Sequence, residues 1–325
     1  MNDSLFDSEL FWLAAIPLGT LGIGTIVRLI ALRGRTDEKA KARRNSLKTW
    51  WGVVVIVVAI ATLGRTAAIV VFGVVSFFAF LEFMRMKRVT STDHNAVGEL
   101  ASHGGAVDDR YLITMGSLFI LAHYVLLWMN LRPLTVALLP IAALIAGSIL
   151  LVVTGQARGY VSRLGHCYLG LMFTTYLLSH AVLLFRTAVP DGSRLDAAAC
   201  FLYVIALTEI DDITQALVGR RVGKHKLSPV VSPNKSWEGF LGGMLVSILL
   251  SIFLGHFLLD CNWLALSFYG IIIAVAGLFG DLNMSAVKRD AEVKDSGNWL
   301  PGHGGLLDRI DSLTFTAPIF YYLYV

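Results

Sequence analysis

Residues 263–311 read WLALSFYGIIIAVAGLFGDLNMSAVKRDAEVKDSGNWLPGHGGLLDRID. The first part, 263–280, is an unbroken apolar run closing on Gly280-Asp281. A hydrocarbon core of about 30 Å takes roughly 20 such residues as a helix, so the run reads as a membrane span. The second part, Ser285 to Asp311, sets Lys288, Arg289, Lys294, Asp295, His303, Asp308, Arg309 and Asp311 among Pro301, Gly302, Gly304 and Gly305. A topogenic connector would be simply basic. Here both signs alternate around a Pro-Gly-His-Gly-Gly turn, whose glycines reach φ > 0 freely and let backbone N–H groups converge on an anion. Cationic side chains beside carboxylates suit a phosphate held together with its metal ion.

The rest of the chain agrees on the solvent. Of 325 residues, 56% are hydrophobic and 15% charged, with a mean hydropathy of +0.68. That is too apolar for a soluble domain of this length. Spans are expected at 9–31, 49–64, 67–84, 111–131, 134–153, 166–187, 196–217, 240–259, 263–280 and 312–325, about ten in an all-α polytopic bundle. Tight joins at Gly64-Arg65-Thr66 and Asn130–Pro133 suggest helical hairpins. The alternate loops 33–48, 85–110, 155–165, 219–239 and 281–311 hold 22 of the 27 lysines and arginines. By the positive-inside rule these loops are cytoplasmic. The N-terminus lacks a basic n-region, so no cleaved signal is expected. Cys167, Cys200 and Cys261 show no metal or disulfide spacing and read as buried thiols. The net charge of +4 is unevenly placed and implies no nucleic-acid partner.

Polar residues inside apolar runs divide into two groups. His123, His180 and His256 occur singly and read as neutral histidines hydrogen-bonded between helices. Glu82, one turn from Arg85, reads as locally paired. His103-Gly104-Gly105 echoes the later turn without its Lys-Asp and Asp-Arg neighbours and reads as coincidence. From Leu207 the character changes. Glu209, Asp211 and Asp212 end an apolar span, where uncompensated carboxylates are costly. They lead into Arg220, Arg221, Lys224, His225 and Lys226, then Ser228-Pro229 and Ser232-Pro233-Asn234-Lys235-Ser236-Trp237-Glu238-Gly239. A plain basic loop explains the cations but not the ordered prolines, hydroxyls and carboxylates.

Taken together, Ser285-x-x-Lys288-Arg289, Lys294-Asp295-Ser296-Gly297, Pro301–Gly305 and Asp308-Arg309-Ile310-Asp311 resemble the pattern of the phosphatidate cytidylyltransferase (CDP-diacylglycerol synthase) family. Gly223–Pro229 and Ser232–Gly239 resemble its basic-loop elements. The resemblance covers the C-terminal third. It implies an integral membrane enzyme that makes CDP-diacylglycerol and pyrophosphate from CTP and phosphatidate, with Lys224, Lys235 and Ser236 handling the nucleotide. Two positions depart from the pattern. Asp212-Ile213-Thr214-Gln215-Ala216 keeps only the aspartate of one element, and Met284 stands where the family carries glutamate.

Nucleotidyl transfer brings two polyanions together, which calls for a divalent metal and cationic groups. Asp212 and Asp281 each cap the cytoplasmic end of a span and are expected to share Mg2+. Lys224, Ser232, Asn234, Lys235 and Ser236 are expected to hold CTP, and Lys288, Arg289, His303 and Arg309 the phosphates. Asp295, Asp308 and Asp311 are expected as orienting groups or further metal ligands. Asp281, Ser285 and Lys288 share one face if their segment continues as helix. These expectations describe N-terminal membrane helices over 1–195 and a catalytic membrane region over 196–325. The enzyme would work at the cytoplasmic face of a bacterial-type cell membrane, with CTP, a lipid phosphate and the bilayer as partners and a homodimer left open. The alternatives are a CTP-dependent lipid-alcohol kinase, a cytidylyltransferase for another lipid phosphate, a catalytically silent lipid or nucleotide binder, and a transporter. Charges gathered at span ends rather than mid-span disfavour the transporter.

Overall fold

The computed structural model describes residues 38–86, 109–157, 159–186, 194–297 and 304–325. The expected first span at 9–31, the His103 echo and His303 lie outside the described residues.

Within them the chain is helical apart from one small hairpin. In order it forms α1 (Glu38–Leu63), α2 (Arg65–Arg85), α3 (Arg110–Trp128), α4 (Leu139–Val153), α5 (Tyr160–Leu171), α6 (Leu178–Leu183) and α7 (Arg194–Val222). Strands β1 (Lys226–Ser228) and β2 (Ser232–Ser236) follow, then α8 (Trp237–Leu258), α9 (Trp263–Asp290), α10 (Leu307–Ile310) and α11 (Leu313–Tyr324). Wide-turn π segments at Leu134–Leu138 and Met172–Leu177 lead into α4 and join α5 to α6. Four helices, α2, α3, α8 and α9, are long and apolar enough to cross a membrane.

Several boundaries differ from the expected ones, each for a local reason. The first basic loop is in part helix, because Glu38–Lys48 is rich in Ala, Lys, Arg and Glu, all good helix formers. Helix α9 runs ten residues past the apolar stretch. Its 28 residues span about 42 Å at 1.5 Å each. That is longer than a hydrocarbon core of about 30 Å, and the segment from Asp281 to Arg289 forms its polar end. Helix α7, 29 residues long, carries Glu209, Asp211 and Asp212 in its second half. The two tight joins hold: Gly64 turns α1 into α2 at φ 80°, and Asn130 bends the chain after α3 at φ 59°. The segment 219–239, expected as loop, folds partly as an antiparallel hairpin pairing Lys226 with Ser236 and Ser228 with Ser232.

The packing is inside-out relative to a soluble bundle. On α8 the buried positions are Gly239, Gly243, Ser247, Ser251 and Gly255, while Leu241, Leu245, Leu249, Phe253 and Phe257 are exposed. Both sets repeat every four residues. Small residues let helix backbones approach, and large apolar ones face an apolar surround. A Cβ at Gly239 would sit 2.7 Å from the Gln215 carbonyl of α7, and one at Gly270 would sit 2.8 Å from Ile248 Cα of α8. Some buried polar groups bond across helices: His123 Nε2 meets Ser179 Oγ at 2.7 Å, and Thr208 donates to Thr316 at 2.9 Å. His180 bonds the Tyr176 carbonyl at 3.0 Å. His256 departs from expectation, being exposed with its ring edge-on to Phe257 at 5.2 Å.

Candidate active site

The polar ends of α7 and α9, the β-hairpin and the segment from Gly304 to Ser312 come together. Gly280 makes this possible, since a Cβ there would lie 3.0 Å from Ser312 Cα. That contact seats Asp311 and Ser312 against α9. Asp212, Asp281 and Asp311 are thereby brought within range of one another's charge. Burial, reinforced by Asp281 and Asp212, pushes the Asp311 carboxyl well above the usual carboxylate range. The cation facing this cluster is Lys235, at the end of β2, whose Nζ lies 2.8 Å from Asp281 Oδ2. Ser312 Oγ is buried beside the Asp212 carboxyl. Among the described residues no three His, Cys, Asp or Glu side chains form a ready-made metal cage.

One helical face carries the site onward. Ser285 Oγ donates to Asp281 Oδ1 at 3.1 Å, and two turns on from Asp281 Lys288 pairs with Asp308 at 2.6 Å. The Lys288 charge also reaches Asp311. Asp308 accepts from Ser296 N at 3.2 Å, Ser296 Oγ at 3.1 Å and Gly305 N at 3.0 Å. Burial alone would raise its pKa. The hydrogen bond and charge of Lys288, with these N–H donors, outweigh that and leave the carboxyl below the usual range.

The hairpin is held from α8. Glu238 accepts from the backbone N–H of Lys224 at 3.1 Å and of His225 at 3.2 Å, and pairs with His225 Nδ1 at 2.6 Å. Ser236 is buried and caps α8, its Oγ accepting from Gly239 N at 3.2 Å. Lys224 and Asn234 are exposed, and Ser232 is half-buried in the strand pair. Arg289 is exposed and donates to the Val231 carbonyl at 3.3 Å, tying α9 to the hairpin tip. Asp295 is exposed beside Gly304, which sits at φ 78°. Arg309 is exposed, and its charge reaches Glu209.

Glu82 and Asp211 behave differently from their sequence reading, and Met284 has a place of its own. Glu82 is not locally paired with Arg85. It is 2% exposed and accepts from Ser296 Oγ at 3.0 Å, Leu306 N at 2.8 Å and Leu307 N at 3.1 Å. Arg85 points outward, whereas Glu82 faces the folded-over segment. Backbone N–H groups converge on carboxyl groups of the protein itself: Gly305 N on Asp308, and Leu306 N and Leu307 N on Glu82. Asp211 is a structural group: it accepts from Gln215 at 2.6 Å and Ser247 at 3.0 Å, joining α7 to α8. Met284 is 2% exposed and packs within the apolar core.

A model described as the cytidylyltransferase family matches residues 44–325. An uncharacterised protein, YnbB, of Escherichia coli (strain K12) is 33% identical over 300 residues, covering 92% of this chain and 93% of that protein. A phosphatidate cytidylyltransferase of Staphylococcus haemolyticus is 44% identical over 131 residues, covering 39% of this chain and 50% of that one. One of Haemophilus influenzae is 42% identical over 128 residues, covering 38% and 44%. The match therefore spans about half the length of the relatives that carry that name.

Proposed function

This chain belongs to the cytidylyltransferase family, and we propose that it transfers the cytidylyl group of CTP to phosphatidate, yielding CDP-diacylglycerol and pyrophosphate. The observation that carries this reading is the meeting of Asp212, Asp281 and Asp311 beside Lys235, with Lys288 two turns along the same helix. The phosphate of phosphatidate is itself the nucleophile toward the α-phosphorus, so no covalent enzyme intermediate is needed.

The residues fit a divalent ion. Asp212, Asp281 and Asp311 gather with the Ser312 hydroxyl buried beside Asp212, and the ammonium groups that reach them are Lys235 at Asp281 and Asp212 and Lys288 at Asp311. Mg2+ takes only one or two protein carboxylates alongside phosphate oxygens and water, so a cage of three is not required. Asp212 and Asp281 would hold it, and when bound it supplies Lewis-acid stabilisation of the charge on the phosphates. Lys235 would pass from Asp281 to a triphosphate oxygen, and Lys224, Ser232, Asn234 and Ser236 would hold CTP with it. Lys288, Arg289, His303 and Arg309 would bind the phosphates. Asp308 orients Lys288, Asp311 adds to the negative cluster, and Asp295 lies beside the turn.

The same reading extends to topology. About ten spans would cross a cell membrane, with the region 196–325 carrying the chemistry on the cytoplasmic side. The test is incubation of purified protein with labelled CTP, Mg2+ and a panel of phosphatidate, other lipid phosphates and lipid alcohols. CDP-diacylglycerol with pyrophosphate is expected from phosphatidate. Release of CDP with a phosphorylated lipid alcohol would replace the reading with a kinase, and no turnover of any lipid would refute it.

A further inference from the structure

The carboxyl of Glu82 lies on α2, more than 200 residues from the segment it touches, and the proposed chemistry does not use it. Its surroundings constrain it closely. Oε2 accepts both the Leu306 and Leu307 N–H groups, and Oε1 lies 3.0 Å from Ser296 Oγ. That same hydroxyl lies 3.1 Å from Asp308 Oδ2. A serine hydroxyl has one hydrogen and cannot donate fully to two carboxylate oxygens. Asp308 has Lys288 at 2.6 Å and two backbone N–H donors, a complete shell for an ionised carboxylate. Glu82 takes part in no ion pair among the described residues. Putting a proton on Glu82 Oε1 satisfies every atom: Glu82 donates to Ser296, Ser296 donates to Asp308, and Oε2 remains the acceptor for Leu306 and Leu307. The space is cut to this carboxyl as well. A Cβ at Gly297 or Gly305 would collide with Oε1, so both glycines are required by its presence.

We propose that Glu82 is a positioning residue for Ser296 and for the segment Gly304–Asp308, held as a neutral carboxyl that donates to Ser296 and accepts from Leu306 and Leu307. It fixes Asp308, and through it Lys288, at the phosphate side of the site, so α2 in the first half of the chain takes part in assembling the catalytic end. Its catalytic consequence rests on the proposed cytidylyl transfer, but the contact can be tested without turnover.

Hydrogen–deuterium exchange is measured on the purified protein without CTP or metal, comparing wild type with Glu82→Ala and Glu82→Gln. Glu82→Ala is expected to speed exchange at Leu306 and Leu307 by about tenfold, as befits a lost hydrogen bond. Glu82→Gln should stay within about threefold of wild type, because its carbonyl accepts the two N–H groups and its amide donates to Ser296. Glutamine exchanging as fast as alanine would overturn the neutral carboxyl, and unchanged exchange in Glu82→Ala would overturn the anchor. In activity, Glu82→Ala should lower kcat by about tenfold or more with CTP KM within about threefold, and Glu82→Gln should recover at least about a third of wild-type kcat. Should Glu82→Ala fail to fold, Ser296→Ala replaces it: the same kcat loss is expected with Leu306 and Leu307 still protected, and wild-type kcat in that variant would overturn the positioning role. A wild type that exchanges as expected yet transfers no cytidylyl group would sink the proposed function and leave the contact standing.

Discussion

Lys235→Met removes one charge from the centre of the site while keeping an unbranched apolar stem. The ammonium lies 2.8 Å from Asp281, and the two side chains are 16% and 29% exposed. Breaking a fully buried pair costs about 3–5 kcal/mol. A pair with this much solvent contact should cost less, about 2–4 kcal/mol. The loss should be felt most without metal, because Asp212, Asp281 and Asp311 are then left with no cation in Lys235's place. Added Mg2+ should raise the apparent Tm of the variant more than that of wild type, since it no longer competes with the ammonium for Asp281. In turnover, losing a charge-assisted contact to a phosphate of about 1.5–3 kcal/mol should raise CTP KM about 10- to 150-fold, with phosphatidate KM little changed. Thermal unfolding in detergent with and without Mg2+, and initial rates over a CTP series, measure both. An equal Mg2+ shift in the two proteins, or a rise in lipid KM with CTP KM unchanged, would refute the assignment of Lys235.

Asp212→Asn and Asp281→Asn keep shape but remove an anionic ligand, so each should abolish metal-dependent turnover. The double variant should be little worse than either single one if both act on one ion; near-normal activity in a single variant removes that residue from the site. Lys288→Met should destabilise the protein in a pH-dependent way. The depressed Asp308 pKa contributes stability that is present above the unfolded value of about 3.9 and lost as pH falls through the lower folded value. The gap between wild type and variant, read by denaturant unfolding, should therefore be full near neutrality and shrink below about pH 4. Cysteines placed at Lys226 and Asn298 in a cysteine-free background should resist an impermeant thiol reagent applied to intact cells and react once cells are opened. Labelling from outside would invert the proposed topology.

What was legible in the sequence was what one element decides by itself. The apolar runs marked helices because lipid-facing and core-facing positions are both unpolar, and Gly64 and Asn130 marked joins because each sits at positive φ. The face shared by Asp281, Ser285 and Lys288 followed from helical spacing and is borne out by the Ser285–Asp281 bond. Glu82 was illegible for the opposite reason. Its partners lie 214 to 225 positions away, and Arg85, one turn along, offered a local partner that spacing alone favours. Asp211 and Asp212 show the same limit at closer range. Adjacent on one helix and chemically identical, they diverge because one meets Gln215 and Ser247 while the other meets Asp281 and Lys235. Gly243 fixes the first outcome, since a Cβ there would lie 2.7 Å from Asp211 Oδ1. Glycine weakens an isolated helix, yet Gly243 is what lets α8 approach until Ser247 reaches Asp211. The division of labour between two neighbouring aspartates is thus set by the helix packed against them, and a change at Gly243 should disturb the site without touching any residue that meets a substrate.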